Sequence, residues 1–224
     1  MASKMKSVDK LFSVEVPDQG KVSSLRTTAR DAAWTFVYAP GAGSNLRDPF
    51  GAFAAAALVS RGITTVRFQF PYMEAGRRGP DRPPVLEATW RAVIDAARPG
   101  AGRLIVGGRS MGGRIASLVV AQGVAVDALA LFAYPLHPPG KPDQMRVEHF
   151  SAIRVPVLFC SGTRDAFASP EELRAAAKKI RTAKVHLLEG ADHGFAVPKS
   201  SGRTRDDVWA EAIDAMTEWL GSLK

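Results

Sequence analysis

Hydrophobic positions recur at two spacings along this chain, one near two residues and one near three to four, and the two alternate. Leu11–Val16 interleaves apolar and polar residues, Pro17-Asp18-Gln19-Gly20 is a turn, and a weaker alternation covers Val22–Thr28. Together they predict an antiparallel hairpin. Trp34–Ala39 is more uniformly apolar, as a strand covered on both faces must be. After the small-residue loop Pro40-Gly41-Ala42-Gly43-Ser44-Asn45, Asp48 offers an N-cap and Pro49 a first-turn proline for a helix to about Ser60, stopped by Gly62. Ile63–Phe70 is the next strand. Pro71–Pro84 holds four prolines and two glycines, which predicts an irregular loop. That loop exceeds the roughly two to six residues usual between a strand and a helix.

The helical spacing returns over Val85–Ala97. Leu104–Val106 is a short apolar strand, and the following segment places Ile115, Leu118 and Val119 on one helix face. Leu129–Ala133 is a strand, Tyr134–Ile153 a second long connection with prolines, and Val155–Cys160 another strand. Pro170–Ile180 reads as a helix with Glu171 and Glu172 in its first turn, and Val185–Leu188 as the last strand. Asp206–Leu223 closes the chain as an amphipathic helix burying Trp209, Ile213, Met216, Trp219 and Leu220. Strand and helix alternate from Trp34 onward, so the predicted class is α/β. The expected architecture is a mainly parallel sheet with helices on both faces and the N-terminal hairpin at one edge, one domain over residues 1–224. Neither long connection has the apolar helical pattern of a large lid, so small or moderately sized substrates are expected rather than long-chain lipids.

Composition removes several classes. Hydrophobic residues make up 46% of the chain and charged residues 23%, which is ample for a core and ordinary for a globular protein. No apolar run approaches the roughly 18 residues of a membrane span, and Met1–Lys10 is polar and basic with no apolar segment behind it; a cytoplasmic location is expected. Cys160 is the sole cysteine, so an intrachain disulfide and a cysteine-based metal site are both excluded. Its place in the run Val157–Cys160 makes it a core residue. The net charge of +8 raises the question of nucleic acid. The thirty Lys and Arg residues are scattered, without a block of five or an aromatic–basic motif, so a solvated basic surface is the better reading. Such a surface still speeds encounter with anionic substrates.

The candidate chemistry lies in Gly107-Gly108-Arg109-Ser110-Met111-Gly112-Gly113, between the strand Leu104–Val106 and the helix that follows. Gly108 and Gly112 flank Ser110 in the spacing G-x-S-x-G, where missing side chains let strand and helix crowd together and hold a serine in an exposed, strained turn. The Met111 amide sits at the helix start, aimed at the space where an oxyanion would form. A serine hydroxyl needs a base to take its proton. Of four histidines, His193 follows the last strand in Gly190-Ala191-Asp192-His193-Gly194-Phe195, a loop at the carboxyl edge of the sheet. His186 alternates within a strand and is structural; His137 and His149 lie in the long connection. Asp165, in Ser161-Gly162-Thr163-Arg164-Asp165, is the acid that would orient His193; Asp192 is its rival, too near the histidine to reach the far ring nitrogen. The order Ser110, Asp165, His193 is the nucleophile–acid–base order of α/β-hydrolases. The second oxyanion donor should come from the loop after Trp34–Ala39, from Ala42 or Gly43, with Ala42 preferred.

These motifs resemble the α/β-hydrolases related to testis-expressed protein thirty and to the third regulatory subunit of the NSL histone-acetyltransferase complex. The matching segments are P-G-A-G at 40–43, F-P-Y-M-E with R-R-G-P-D-R-P-P to Pro84, G-G-R-S-M-G-G-R at 107–114, Y-P-L-H-P-P-G at 134–140, R-V-E-H-F at 146–150 and G-T-R-D at 162–165. Dienelactone hydrolases are similar in outline, though they usually carry a cysteine where this chain has Ser110. Pro40 departs from the H-G-A-G form. The resemblance implies a serine-hydrolase fold with Ser110, Asp165 and His193 at the triad positions.

The resulting expectation is an ester or thioester hydrolase that uses no metal or organic cofactor. Gly43, Tyr72, Arg78, Arg109 and His137 are the candidate substrate-contacting residues. Among Arg77, Arg78, Arg82 and Arg109, at least one is expected to face the site and favour a substrate bearing a carboxylate or phosphate. Two other classes remain: a catalytically silent scaffold that binds a protein partner, and a nucleic-acid binder, whose affinity would fall steeply with salt.

Overall fold

In the computed structural model the described residues are 9–223. They form one eight-stranded sheet with the order β1-β2-β4-β3-β5-β6-β7-β8. Its strands are β1 (Asp9–Val16), β2 (Gly20–Thr27), β3 (Trp34–Ala39), β4 (Ile63–Phe68), β5 (Arg103–Arg109), β6 (Ala128–Phe132), β7 (Val157–Gly162) and β8 (Ala183–Leu188). The hairpin β1–β2 joins β4 antiparallel, and every pairing from β4 to β8 is parallel. The expected architecture is therefore observed: a mainly parallel sheet with an antiparallel pair at one edge. Residues 1–8 of the polar N-terminal stretch lie outside the described residues.

Helices cover both faces because the central strands bury both of theirs. α1 (Pro49–Val59) and α6 (Arg205–Gly221) pack Phe50, Leu58, Trp209, Ile213 and Met216 against one face. α3 (Pro83–Ala97), α4 (Met111–Ala121) and α5 (Pro170–Ala177) cover the other with Trp90, Val93, Ile115, Val119 and Leu173. Helix starts are chemically marked. The Asp48 carboxylate accepts the Gly51 N–H at 2.8 Å, and Ser169 and Thr204 each close a reciprocal capping box, with Glu172 and Asp207 respectively.

Three departures from the sequence reading have local causes. Pro71–Glu74 forms one helical turn, α2, where an irregular loop was expected; Pro71 occupies the first turn, where a missing N–H costs nothing. For the same reason α3 starts at Pro83 rather than Val85. The strand expected at Val155–Cys160 runs instead over Val157–Gly162, because Pro156 has no N–H for the ladder; its carbonyl still accepts the Leu129 N–H at 3.0 Å. The connection from β6 to β7 holds only the short 3-10 turn Phe150–Ala152, so among the described residues no helical lid crosses the carboxyl edge.

The chain leaves β3 toward β4 on one side and leaves β5 toward β6 on the other. The loops after β3 and β5 therefore part at the carboxyl edge and leave a crevice between neighbouring strands, the place where open α/β sheets bind ligands.

Candidate active site

Ser110 sits directly over that crevice. It is the single residue between β5 and α4, with φ +51° and ψ −119°, a backbone pose costly for a residue with a side chain. The turn closes because its neighbours lack side chains. A Cβ on Gly108 would lie 2.1 Å from the Ala39 carbonyl oxygen, and one on Gly112 2.3 Å from the same atom. The Ser110 N–H donates to the Phe132 carbonyl at 2.9 Å, and its own carbonyl accepts the Arg114 N–H at 3.0 Å. The hydroxyl is thus fixed at the rim with the helix start behind it.

His193 reaches Ser110 from the loop after β8, with Nε2 2.9 Å from Oγ. Its Nδ1 lies 2.9 Å from both carboxylate oxygens of Asp165, which comes from the loop after β7. The Asp165 side chain is fully buried, whereas the His193 side chain keeps 21% of its surface exposed. Asp165 also accepts the Phe167 N–H at 2.9 Å and the Ser161 hydroxyl at 3.2 Å, so its lone pairs are spoken for. A buried carboxylate held this way favours the His193 tautomer with hydrogen on Nδ1, leaving Nε2 to accept from Ser110. The rival Asp192 does something else: its Oδ1 caps the loop by accepting the Gly194 and Ala196 N–H groups at 2.8 and 2.9 Å. Phe195, at φ +60° and buried edge-on to Phe50, pins the far end of the same loop.

A cavity of about 660 Å³ opens onto Ser110 and His193. Ala42 and Met111 both line it, and among the described residues neither backbone N–H has an acceptor. Gly43 lines it too, while its amide lies beside the Tyr72 hydroxyl without meeting hydrogen-bond geometry.

The other expected contacts divide. Arg109 is in the lining. Tyr72 and Arg78 are not; they line a neighbouring hollow that shares Gly43 and Ser44 with the first. Burial raises the Tyr72 phenol to about 12, keeping it protonated. His137 is corrected: it is buried, with Nδ1 2.8 Å from the Pro138 carbonyl and Nε2 3.3 Å from Glu172, and it anchors the connection rather than facing the cavity. His186 pairs with Glu211 at 3.0 Å. His149 meets the Ser117 hydroxyl at 2.7 Å, and burial pulls its pKa down to about 4. Burial also pushes the Cys160 thiol well up, as suits a core residue. Among the cavity residues that the sequence analysis did not single out are Arg114 and Arg146. Arg114 was findable, since it stands four residues after Ser110 and so on the same helix face. Arg146 carries no such signal. Among the described residues no group of three or more His, Cys, Asp or Glu side chains is arranged to hold a metal ion, and no helix is long and apolar enough to cross a membrane.

Comparison with known proteins agrees with the fold. A family model described as an alpha/beta hydrolase domain matches residues 32–221. The dienelactone hydrolase of Anabaena variabilis superposes with a TM-score of 0.77 at 17% identity, covering 97% of this chain and 99% of its own. A serine hydrolase without lid from Xanthomonas campestris gives 0.72 at 18% identity, covering 96% of each chain. At such identities the likeness is one of fold. The (R)-3-hydroxydecanoyl-ACP:CoA transacylase of Pseudomonas aeruginosa is 30% identical over 73 residues, or 33% of this chain. The match spans only 22% of that protein's length.

Proposed function

The chain belongs to the alpha/beta hydrolase domain family, and from that premise we propose that it is a serine hydrolase cleaving carboxylic esters or thioesters of small to moderate size. The observation that carries this is the unbroken Asp165–His193–Ser110 hydrogen-bond chain, each link 2.9 Å, opening into a cavity. In this reading Ser110 Oγ attacks the acyl carbon as His193 Nε2 takes the hydroxyl proton, and Asp165 stabilises the imidazolium. The Ala42 and Met111 amides hold the resulting oxyanion. Collapse of the tetrahedral adduct breaks the bond to the leaving oxygen or sulfur, which takes the proton from Nε2. Water, deprotonated by His193, then attacks the acyl-enzyme and releases the acid and free Ser110.

No metal or organic cofactor enters these steps, and the cytoplasm is the proposed location. The same acyl-enzyme would pass its acyl group to a thiol in place of water, the kind of transfer named for the Pseudomonas transacylase. Within the family, the motifs at 40–43, 107–114, 134–140 and 146–150 support a place beside the proteins related to testis-expressed protein thirty and the NSL subunit.

The test is intact-mass analysis after exposure to a fluorophosphonate. One adduct on the wild type, absent from Ser110→Ala and His193→Ala, is the expected result. A folded wild type that takes no adduct overturns the proposal and favours a silent scaffold with a protein partner.

A further inference from the structure

Three guanidinium groups line the cavity in front of Ser110, and the protein makes little use of them. Arg109 ends β5, Arg114 stands one turn into α4, and Arg146 projects from the connection after β6, whose path is fixed by the Arg146 N–H to Leu136 carbonyl bond at 2.7 Å and the Tyr134 hydroxyl on the Arg146 carbonyl at 3.0 Å. Among the described residues none of the three side chains makes a salt bridge or a hydrogen bond, and Arg109 Nε is buried without an acceptor. The nine ion pairs among the described residues all involve other side chains.

The two acids of the same lining are already committed. Asp48 accepts the Tyr38 hydroxyl at 2.6 Å, the Gly51 N–H at 2.8 Å and the Ser44 hydroxyl at 2.9 Å. Asp81 takes Arg77 at 2.5 Å and the Tyr72 N–H at 2.8 Å. Arg114 bears the cost of this arrangement: burial lowers its pKa, and the nearby Arg146 lowers it further. Cations held together at a cleft without a direct acceptor disfavour the empty protein, although the Glu87 carboxylate partly offsets this for Arg114. Their chemistry suits one kind of guest, since a guanidinium fork matches the oxygens of a carboxylate or a phosphate.

We propose that Arg114 and Arg146, with Arg109 beside them, form a subsite for an anionic oxygen group carried by the ester or thioester. That the guest is a substrate rests on the hydrolase reading; the anion site itself does not. The group sits either on the acyl part, as in a half-ester of a dicarboxylic acid, or on the leaving part, as in a phosphorylated alcohol or thiol. The subsite holds the negative end while Ser110 meets the acyl carbon.

Two measurements separate the anion site from the hydrolase reading. The first compares kcat/KM for 4-nitrophenyl butanoate, for the glutarate half-ester of 4-nitrophenol, and for the butanoyl ester of glycerol phosphate. At low salt the wild type is expected to prefer one anionic ester by about 10-fold or more, a preference lost in Arg114→Gln and Arg146→Gln and partly kept in Arg114→Lys and Arg146→Lys. Circular dichroism and a thermal melt matching the wild type show that the variants fold. Which anionic ester gains tells which part carries the charge. Equal turnover of all three esters, or a preference unmoved in both glutamine variants, overturns the proposal. The second measurement titrates glutarate and inorganic phosphate into Ser110→Ala by calorimetry. Binding that disappears with Arg114→Gln supports the subsite even if no ester is turned over, and absence of binding to either anion, at low salt and with no ester preference, overturns it.

Discussion

Phe167 lies against His193, with ring centroids 4.1 Å apart and planes 31° from parallel. Two residues upstream is Asp165, and the Phe167 N–H is itself bonded to that carboxylate. One residue thus restrains both members of the pair. Phe167→Ala is expected to leave folding intact and to lower kcat by about 10-fold with a smaller change in KM, through a looser imidazole. Steady-state kinetics beside a thermal melt checks this.

The two aspartates near His193 separate by mutation. Asp165→Asn keeps the shape and reverses the preferred tautomer, so kcat is expected to fall by about 10⁴. Asp192→Asn preserves the oxygen that caps the loop and is expected to change kcat less than about 3-fold, as its effect on His193 is only through loop geometry. Kinetic comparison of the two variants decides which acid serves the imidazole.

Glycines at the elbow and at the chain end should respond in opposite directions. Gly112→Ala puts a methyl group 2.3 Å from the Ala39 carbonyl oxygen, backbone against backbone, and is expected to abolish soluble folded protein or to lower Tm by more than about 10 °C. Gly221→Ala, at the end of α6 with nothing within 4 Å, is expected to raise Tm by about 1–3 °C through helix propensity. Differential scanning fluorimetry reads both.

His149 sets an acid-side slope in stability. Its pKa in the folded protein is about 4, against 6.5 as the ordinary value, because burial disfavours the imidazolium. The unfolded chain therefore binds the extra proton first, so stability is whole above about pH 6.5 and declines as pH falls from there toward 4. Asp9 and Glu74, held below the ordinary carboxylate range by hydrogen bonds against the opposing effect of burial, act at lower pH. His149→Gln is expected to flatten the denaturant midpoint between pH 6.5 and 4.5 while leaving the steeper fall below that. An unchanged slope would assign it to other groups.

The three residues of the proposed triad were legible because each follows an apolar run directly, inside a glycine-bearing loop, and because their chain order fits one fold. Parallel strands also put all such loops at the same edge, so position in sequence translated into position in space. What sequence does not encode locally is the direction in which a loop or connection side chain points. His137 therefore looked available and is buried, Arg78 looked near the site and lies in the next hollow, and Arg146 gave no sign of facing Ser110. The short helix at Pro71–Glu74 was hidden by Pro71 and the prolines that follow it, since proline breaks a helix anywhere except at its start.

Of the proposed triad, Ser110 follows an interior strand, β5, and Asp165 follows β7, but His193 depends on β8, the outermost strand, which pairs on one side alone and is only half-buried along most of its length. Border strands open at lower free energy than the interior of a sheet. Reactivity of Ser110 is thus a more sensitive gauge of the molecule than its backbone spectrum. Under mild denaturant the base is expected to swing away while the other seven strands of the sheet persist in outline, so a population that still looks native by circular dichroism would already have fallen silent.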